Sequence, residues 1–450
     1  MNAAASQAAS RRSRRSRSPR APQNLLKERD AYIDYLSSFI ADAPSSYHAV
    51  AALTAALENA GFVRHDESEE WAALEGGSLG FVCRDGALIA WRAGASVGPA
   101  SPVRIMGSHT DSPGFAVKPQ ADFTAQGWSQ VGVEIYGGPL MTSWLDRDLE
   151  FAGRIVTSSG DEHLVRTGAV ARIPQLAIHL DREANTGLAL DRQRQTQPVI
   201  GVDGPDAPTL LGLLAAAADV QAADIAGMDV RTHDTQPPAR IGATSELYAS
   251  PRLDNLSSVV ASLVALLATE PADGTVSMLA AFDHEELGSN SRSGACGPFL
   301  EDVLRRLRAG LGATADEAAR AMADSWCISA DAGHSVHPNY AEKHDPHVRP
   351  VAGGGPMLKI NANQRYATDA HGAALWQRAC DAAGVASQKF VSNNTVPCGS
   401  TIGPLTATRI GIRTVDAGVP LLSMHSAREL AHVDDLHGLA RVMSAFIAGA

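Results

Sequence analysis

The sequence predicts an α/β protein in which a mixed β-sheet is flanked by helices and a smaller β-rich domain is inserted into the larger one. After Leu247, long helical patterns alternate with short apolar runs, which favours a sheet covered by helices on both faces. Between about Lys118 and Glu246 the chain changes to short β-like pieces and many turns. Polar residues suited to a functional site precede and follow this block, which indicates an insertion.

Hydrophobic periodicity and turn residues define the individual elements. Apolar residues recur at helical spacing from Leu26 to Ile40, so we expect an amphipathic helix over Leu25–Ala41 that ends before Pro44. Further helices are predicted over His48–Ala60, Leu210–Ile225, Leu256–Leu267, Leu300–Leu311, Ala373–Gly384 and Ala427–Ile447, and strands within Leu79–Trp91, Val103–Gly107, Val131–Tyr136, Phe151–Val156, Ala169–Ile173 and Val276–Phe282.

At 450 residues the chain exceeds the usual size of one domain. We predict a disordered basic tail over residues 1–24, the first part of the larger domain over 25–117, the inserted domain over 118–247, and the second part of the larger domain over 248–450. The tail has no apolar periodicity and no secretory apolar core, so we assign it no folded structure.

Composition excludes several classes of protein. The first 26 residues carry six arginines and no acid, which leaves −17 of charge for the rest of a chain whose formal net charge is −11. Such a strong negative charge outside the tail argues against nucleic acid as the main partner. No apolar run approaches membrane-spanning length, so we predict a protein without a membrane partner. Five scattered cysteines without a Cys-x-x-Cys pair indicate reduced thiols and a cytoplasmic location, and they exclude a thiolate zinc cage.

The most informative segment is Asp283–Gly288, which sets two adjacent acids, Glu285 and Glu286, directly after the apolar run Val276–Phe282. Adjacent side chains at a strand end point in different directions, so one carboxylate can bind a metal while its neighbour transfers a proton. Four other apolar runs also end in potential ligands: His109 with Asp111, Asp254, Asp331 and His425.

Open α/β sheets place ligands at the carboxyl ends of their strands, so donors on five separate segments fit one site. We interpret them as a two-metal site in which one carboxylate bridges and each ion takes one histidine and one further acid. Two ions about 3.5 to 4 Å apart can polarise a carbonyl and lower the pKa of a shared water, which indicates hydrolysis.

Each residue also has a simpler interpretation. His109 could be a hydrogen-bonded loop histidine, although Asp111 could return to orient its ring. Asp254 could cap the helix that begins near Leu256. His425 could be a similar cap-region side chain. Asp331 has His334 and His337 nearby, and spacing does not settle which of these three would face a metal; the sequence also cannot separate Glu285 from Glu286 as proton acceptor.

These segments resemble the signature blocks of the aspartyl aminopeptidase family of metallopeptidases. The matching runs occur in the family's order from about residue 30 to the C-terminus, and only the arginine-rich tail has no counterpart. They are Gly107–Pro113, Ser250–Leu256, Asp283–Ser289, Ser329–His334 with His337–Tyr340, Asn361–Tyr366, Pro397–Pro404 and Met424–Glu429.

The resemblance implies two Zn²⁺ ions per subunit, although histidine and carboxylate sites also accept Mn or Co. His109 and Asp331 would bind one ion, Glu286 and His425 the other, and Asp254 would bridge them. Glu285 would be the general base that deprotonates the water and passes the proton to the leaving amine. Asp111 would hold the ring of His109.

For peptide substrates, the resemblance implies removal of an N-terminal residue, often Asp or Glu, although some members prefer neutral apolar residues. An acidic substrate of an acidic protein needs a local cation, for which Lys359 is our candidate and Arg365 the alternative. The inserted domain would mediate dimerisation, and dimers would form a dodecamer. His179 would reach into a neighbouring subunit's site; without the resemblance we would interpret it as a strand histidine.

Two other functions share these features. A related co-catalytic zinc amidase or carboxypeptidase would use the same metal ligands and anchor a free carboxylate in place of a free amine. A non-catalytic receptor could keep the fold alone, but loss of a ligand or of the base would be expected there, and all six positions carry competent residues.

Overall fold

The computed structural model of the chain describes residues 22–450. The predicted tail therefore lies outside the described residues, apart from its last three, which begin the first helix. In chain order the helices are α1 (Pro22–Lys27), α2 (Arg29–Asp42), α3 (Ser46–Asn59), α4 (Leu210–Ala218), α5 (Leu253–Ala268), α6 (Phe299–Gly310), α7 (Ala315–Ala323), α8 (Ala370–Ala383), α9 (Ile402–Ile410) and α10 (Val433–Ile447).

The strands form one large sheet, one medium sheet and two small ones. In chain order they are β1 (Val63–Arg64), β2 (Leu79–Arg84), β3 (Ala87–Ala93), β4 (Val103–His109), β5 (Gly114–Ala125), β6 (Trp128–Tyr136), β7 (Leu149–Thr157), β8 (Glu162–Arg166), β9 (Val199–Val202), β10 (Ile225–Asp234), β11 (Ala239–Ile241), β12 (Leu247–Ser250), β13 (Val276–Phe282), β14 (Trp326–Ala330), β15 (Gly333–His334), β16 (Met357–Lys359), β17 (Gln388–Phe390), β18 (Arg413–Gly418), β19 (Pro420–Leu421) and β20 (Glu429–His432).

The large sheet is mixed, as the sequence predicts. Its nine strands in the described chain run in the order β1-β2-β3-β13-β4-β14-β18-β16-β17. The central strands β13, β4, β14 and β18 are parallel, and β3 and β16 run antiparallel to their neighbours β13 and β18. The register pairs Phe282 with His109, so two of the segments that carry site residues end side by side. Parallel central strands thus bring their carboxyl ends to one edge.

Both faces of this sheet are covered by helices. Along β13, Leu279 and Ala281 belong to one buried cluster, and Met278 and Ala280 belong to the other, because successive side chains of a strand point to opposite faces. The central helix α5 packs in the first cluster, where nearly all of its residues are buried. Such double burial explains why the central strands are continuous apolar runs.

The second sheet comprises strands between β4 and β11 in sequence, in the order β8-β7-β10-β5-β6-β9. It has its own buried cluster, which includes Phe115, Trp144 and Phe151 together with α4. Its strands are antiparallel. The chain therefore leaves the large sheet after β4, builds a second hydrophobic core, and returns.

Several predicted elements differ from the structure. The helix expected over Leu25–Ala41 is two helices, because Glu28 has extended backbone dihedrals. The helix expected over Leu210–Ile225 ends at Ala218, where Asp219 adopts a left-handed conformation with φ 57°. The strand expected over Ala169–Ile173 makes only isolated bridges to other segments.

The C-terminal prediction also needs correction. The segment predicted as a helix over Ala427–Ile447 begins with the strand β20, and the helix starts at Val433. The strand forms because it pairs with β12 from Leu247 to Ser250. In addition, helices α7 and α9 lie where the sequence patterns predict no helix. Among the helices of the described residues, none is both long and apolar enough to cross a membrane.

Candidate metal centre

His109 is the last residue of β4 and is almost completely buried. Its Nδ1 lies 3.0 Å from the main-chain oxygen of Asp111, and because a carbonyl only accepts, this nitrogen carries the proton. The Nε2 atom is therefore directed away, and it lies 3.2 Å from Oδ1 of Asp254. An imidazole held in this way presents Nε2 to a ligand.

Asp254 lies between β12 and the regular part of α5, where it and Asn255 have non-helical dihedrals. Its Oδ1 faces His109, and its Oδ2 lies 3.3 Å from Nε2 of His425. The interpretation of Asp254 as a helix cap is thus wrong, because its carboxylate faces two imidazoles from different segments. One carboxylate with an imidazole at each oxygen has the geometry of a bridging ligand.

The two adjacent acids lie in a 3-10 turn, Glu285–Leu287, that follows β13. Asp111 holds this turn, since its carboxylate accepts from the main-chain N–H of Glu285 at 3.0 Å and of Glu286 at 3.2 Å. Oε2 of Glu285 lies 3.9 Å from Nε2 of His109, and Oε1 of Glu286 lies 3.5 Å from Nε2 of His425. The neighbouring carboxylates therefore face different imidazoles, as expected for a tight turn after a strand.

Asp331 directly follows β14 and completes the group around His109. Its Oδ1 lies 3.8 Å from Nε2 of His109, and its Oδ2 lies 3.6 Å from Nζ of Lys359. His334 and His337, which spacing left as alternatives, line a neighbouring cavity and are absent from the ligand groups found in the described residues.

His425 lies in a loop, with φ 65°, before β20. The prediction that it precedes a helix is wrong, because a strand follows. Its Nδ1 donates to the main-chain oxygen of Gly138 at 3.0 Å, and its main-chain N–H donates to Glu429 at 2.8 Å. Glu429 also accepts from the main-chain N–H of Asp254 at 3.0 Å. This buried acid therefore holds two segments of the site together.

The side chains form three overlapping groups that could each hold a cation. The ligand atoms of each group lie within 4.8 Å of one another, and the groups are His109 with Asp254 and Asp331, His109 with Glu285 and Glu286, and Asp254 with Glu286 and His425. Buried oxygens of Asp254 and Glu286 have no hydrogen-bond partner among the described residues, although burial of an unpaired carboxylate oxygen is costly. Imidazole and carboxylate donors of this kind suit Zn²⁺ and similar ions.

Burial of several acids in one place shifts their proton equilibria. Burial raises the pKa of Glu285 to about 8, where the charge of His109 lowers it and that of Asp331 raises it. Burial also raises the pKa of Glu286 well above its ordinary value. The pKa of Glu429 rises to about 8 through burial and the charge of Asp254. Without a cation, this site therefore retains protons.

The imidazoles behave in the same way. Burial lowers the pKa of His425, but its hydrogen bond to Asp254 and the charge of Glu286 raise it to about 10. Burial likewise lowers the pKa of His109, and the nearby carboxylates of Asp111, Asp254 and Asp331 raise it well above the ordinary value. Protons on Nε2 thus hold the positions that metal ions would take, and metal binding would release them.

The shifts predict how the metal-free protein responds to pH. Folded Glu285 and Glu429 keep protons up to about pH 8, whereas unfolded carboxyls release them near their ordinary value of 4.5. Because the folded state binds more protons across this window, its stability falls as the pH rises. The pKa of His425 is also raised, to about 10, so this residue likewise makes stability fall as the pH rises, and it extends the affected pH range to about 10. Burial lowers the pKa of His48 and His233, so these rings oppose the trend below their ordinary value of 6.5. We therefore expect the thermal midpoint of chelator-treated protein to fall from about pH 7 to about pH 8, measured by circular dichroism. A midpoint that rises across this range would contradict these shifts.

Beside the metal centre lies a cavity of about 270 Å³. Its wall includes Met424, directly before His425, and His334, which follows Asp331 by three residues. Lys343 adds a cation, whereas burial lowers the pKa of the neighbouring His344. The remaining lining includes Phe390, Val391, Val396, Pro397 and Leu421. The cavity is therefore partly apolar and partly basic.

The two candidates for reading an acidic side chain differ in exposure. Lys359 is buried, and its Nζ donates to the main-chain oxygen of Ala332 at 2.6 Å. Arg365 is exposed, and its Nε donates at 3.3 Å to the main-chain oxygen of Gly399, a residue of the cavity wall. Arg365 therefore lies next to the cavity wall and has an exposed guanidinium.

His179 lies in an exposed turn of the inserted segment, so the interpretation as a strand histidine is wrong. Three apolar neighbours are also exposed, namely Leu176, Ile178 and Leu180, the last by 75%. An exposed loop with this many apolar side chains is typical of a surface that contacts another molecule.

Sequence reasoning missed three residues that touch the centre. Tyr136 donates to Oδ2 of Asp111 at 2.8 Å, Gly138 accepts from His425, and Glu429 accepts from two main-chain N–H groups. Tyr136 and Gly138 come from the inserted segment, and nothing in a predicted strand end marks them. Glu429 stood within a recognised motif but had no assigned role.

The chain matches the family model described as aminopeptidase I zinc metalloprotease (M18) over residues 39–447. It is 50% identical over 424 residues to a probable M18 family aminopeptidase 2 of Streptomyces avermitilis, covering 93% of this chain and 98% of that protein. It is 43% identical to the corresponding protein of Stutzerimonas stutzeri, covering 93% and 97%.

Solved structures show the same similarity. The Ape4 chain of a cryo-EM structure of the Ape4 and Nbr1 complex superposes with a TM-score of 0.90 at 33% identity, covering 94% of this chain and 86% of that one. A crystal structure of prApe1 superposes with a TM-score of 0.88 at 30% identity, covering 95% of this chain and 97% of that one. The S. cerevisiae mApe1 dodecamer gives 0.80 at 28% identity, covering 93% and 96%.

Proposed function

The chain belongs to the M18 family of zinc aminopeptidases, and we propose that it uses two zinc ions to remove an N-terminal Asp or Glu from peptides. Family membership makes the protein a metallopeptidase and confirms the resemblance inferred from sequence. The observation that supports two ions is the carboxylate of Asp254, whose two oxygens lie 3.2 Å and 3.3 Å from Nε2 of His109 and His425.

In this proposal His109 and Asp331 hold one ion, Glu286 and His425 hold the other, and Asp254 bridges. Bound zinc would polarise the scissile carbonyl and make the attacking water more acidic. Manganese or cobalt could occupy the same donors.

Glu285 is the proposed general base. Its Oε2 lies 3.9 Å from Nε2 of His109, and it forms a third possible ligand group with His109 and Glu286. The family resemblance is the reason for assigning it to proton transfer. It would take the proton from the attacking water and deliver it to the nitrogen of the leaving amine. Asp111 would keep the ring of His109 and the turn that carries Glu285 in place.

Two cations near the centre support acidic substrates, namely Lys343 in the cavity wall and Arg365, which donates to the wall residue Gly399. We propose that Arg365 pairs with the substrate side-chain carboxylate, because its guanidinium is exposed and can bind a carboxylate through two hydrogen bonds. Lys359 is the alternative, but its ammonium already contacts Ala332 and Asp331.

A panel of dipeptides tests this proposal. We expect kcat/KM for Asp-Ala and Glu-Ala to exceed that for Leu-Ala. Replacement Arg365→Gln should lower kcat/KM for the acidic dipeptides by about 10- to 100-fold, the loss of one charge-assisted pair, and leave Leu-Ala unchanged.

Lys359→Met is the comparison variant. This variant should lower kcat/KM for all three dipeptides, because Asp331 loses the neighbouring charge of Lys359. If only Lys359→Met lowered kcat/KM selectively for Asp-Ala and Glu-Ala, Lys359 would take the role proposed for Arg365. If the unmodified protein preferred Leu-Ala, the proposed acidic specificity would be rejected.

We further propose that residues 118–247 form a dimerisation domain and that dimers assemble into a dodecamer, as in the mApe1 dodecamer of S. cerevisiae. The exposed apolar side chains around His179 support this, because assembly would bury them. His179 would then reach the site of a neighbouring subunit and stabilise the tetrahedral intermediate. A cytoplasmic location is consistent with five cysteines that form no disulfide.

A further inference from the structure

The end of strand β6 contacts the metal centre from the inserted sheet. The hydroxyl of Tyr136 donates to Oδ2 of Asp111 at 2.8 Å, and the main-chain oxygen of Gly138 accepts from Nδ1 of His425 at 3.0 Å. Tyr136 is 7% exposed and Asp111 is 1% exposed, so water cannot readily replace their hydrogen bond.

Gly137 lies between these two contacts. Its φ is +66°, and a Cβ placed on it would lie 3.1 Å from Cβ of Glu286 and 3.5 Å from its Oε2. A side chain here would be strained and would also press on Glu286. The segment Tyr136–Gly138 therefore lies against three residues of the site, namely Asp111, Glu286 and His425.

Arg231 supports the ring of Tyr136 from the neighbouring part of the same sheet. Its guanidinium carbon lies 3.4 Å from the ring centre, which is a close cation–π contact. Arg231 is on β10, so two strands of the inserted sheet fix the position of the tyrosine hydroxyl.

The carboxylate of Asp111 has several tasks that depend on its orientation. Oδ1 accepts from the main-chain N–H of Glu285, and Oδ2 accepts from that of Glu286 as well as from Tyr136. If the tyrosine hydroxyl were absent, this buried carboxylate would lose one of its charge-assisted hydrogen bonds. Oδ1 also lies 3.4 Å from Nδ1 of His109, so rotation of the carboxylate would disturb both that ring and the turn that carries the two glutamates.

We propose that Tyr136–Gly138 is a positioning element through which the inserted domain sets the zinc affinity and the turnover of the centre. Tyr136 acts through Asp111, and Gly138 acts by fixing the ring of His425 with Nε2 directed at Asp254. This inference rests on the proposed metal centre. It gives the inserted domain a role within each chain, separate from dimerisation.

Replacement Tyr136→Phe tests the inference, because it removes the hydroxyl and keeps the ring on Arg231. Zinc affinity is measured by competition with a chromogenic chelator, and kcat and KM are measured with Asp-Ala. We expect the zinc dissociation constant to rise and kcat to fall, each by about 10-fold or more, as for other residues that orient metal ligands. KM should stay within about twofold, since no substrate contact is removed.

Tyr248→Phe is the matched control. Tyr248 is also buried, and its hydroxyl lies 2.7 Å from Oγ of Ser37, away from the centre. We expect its zinc affinity and kcat to match those of the unmodified chain. If Tyr136→Phe behaves like Tyr248→Phe, the inference is wrong.

A second variant, Gly137→Ala, covers the case in which Tyr136→Phe does not fold. Its methyl group would press on Glu286, so zinc affinity should again fall by about 10-fold; unchanged affinity would overturn the inference. If the unmodified chain itself binds no zinc, the proposed metal centre fails. If it binds zinc and both variants bind equally well, only the positioning role fails.

Discussion

Replacement Glu285→Gln is expected to lower kcat by about 10³-fold or more, toward the upper end of the contribution of a positioned general base. Glutamine has nearly the same shape as glutamate but cannot take a proton from the attacking water. In the proposed arrangement Glu285 transfers a proton and binds no ion, so zinc content should stay unchanged. A loss of zinc would instead make Glu285 a ligand in the group that it forms with His109 and Glu286. The assay combines single-turnover cleavage of Asp-Ala with zinc determination by atomic absorption on the same sample.

The neighbouring variant Glu286→Gln separates the two acids. Its carboxylate lies 3.5 Å from Nε2 of His425, so we expect this variant to lose zinc as well as activity. Recovery at high zinc concentration should then be partial for Glu286→Gln and absent for Glu285→Gln. If Glu285→Gln keeps more than about a tenth of the activity, Glu285 is not the base that limits turnover.

Sequence patterns predicted the parts of the fold that depend on local periodicity. The strand Val276–Phe282 has the predicted bounds because every residue in it is buried, and its end coincides with the two glutamates. His109 likewise ends its strand. These short apolar runs indicate parallel strands, and parallel strands bring their ends together, so the approximate location of the site follows from the sequence.

Properties that depend on distant segments could not be predicted. Residues 429–432 form a strand only because β12 lies beside them, although the sequence favours a helix there. Asp254 leaves helical dihedrals to face two imidazoles, which no capping pattern indicates. Tyr136, at the end of β6 in the second sheet, donates to Asp111, which follows β4 of the large sheet. The spacing of His109 and His425 along the chain carries no distance information, so only the family resemblance assigned them to different ions at the sequence level.

Removal of the metal should abolish activity, and its return should show the number of ions. We expect exhaustive dialysis against a chelator to lower kcat/KM by at least about 10³-fold, because the water then keeps its ordinary acidity and the carbonyl is not polarised. Titration with zinc should restore activity with an end point of two ions per chain. Isothermal titration calorimetry of the metal-free protein, with activity measured at each step, provides both quantities.

Two variants distinguish the ligand groups within this titration. Asp331→Asn changes only the group around His109, so one tight zinc site should remain, whereas Asp254→Asn should weaken both, because its oxygens face His109 and His425. An end point of one ion in the unmodified chain would reject the two-metal proposal and leave the aminopeptidase assignment intact. Equal losses in the two variants would show that Asp254 does not bridge, since a bridging ligand must affect the second ion more than a ligand of the first ion alone does.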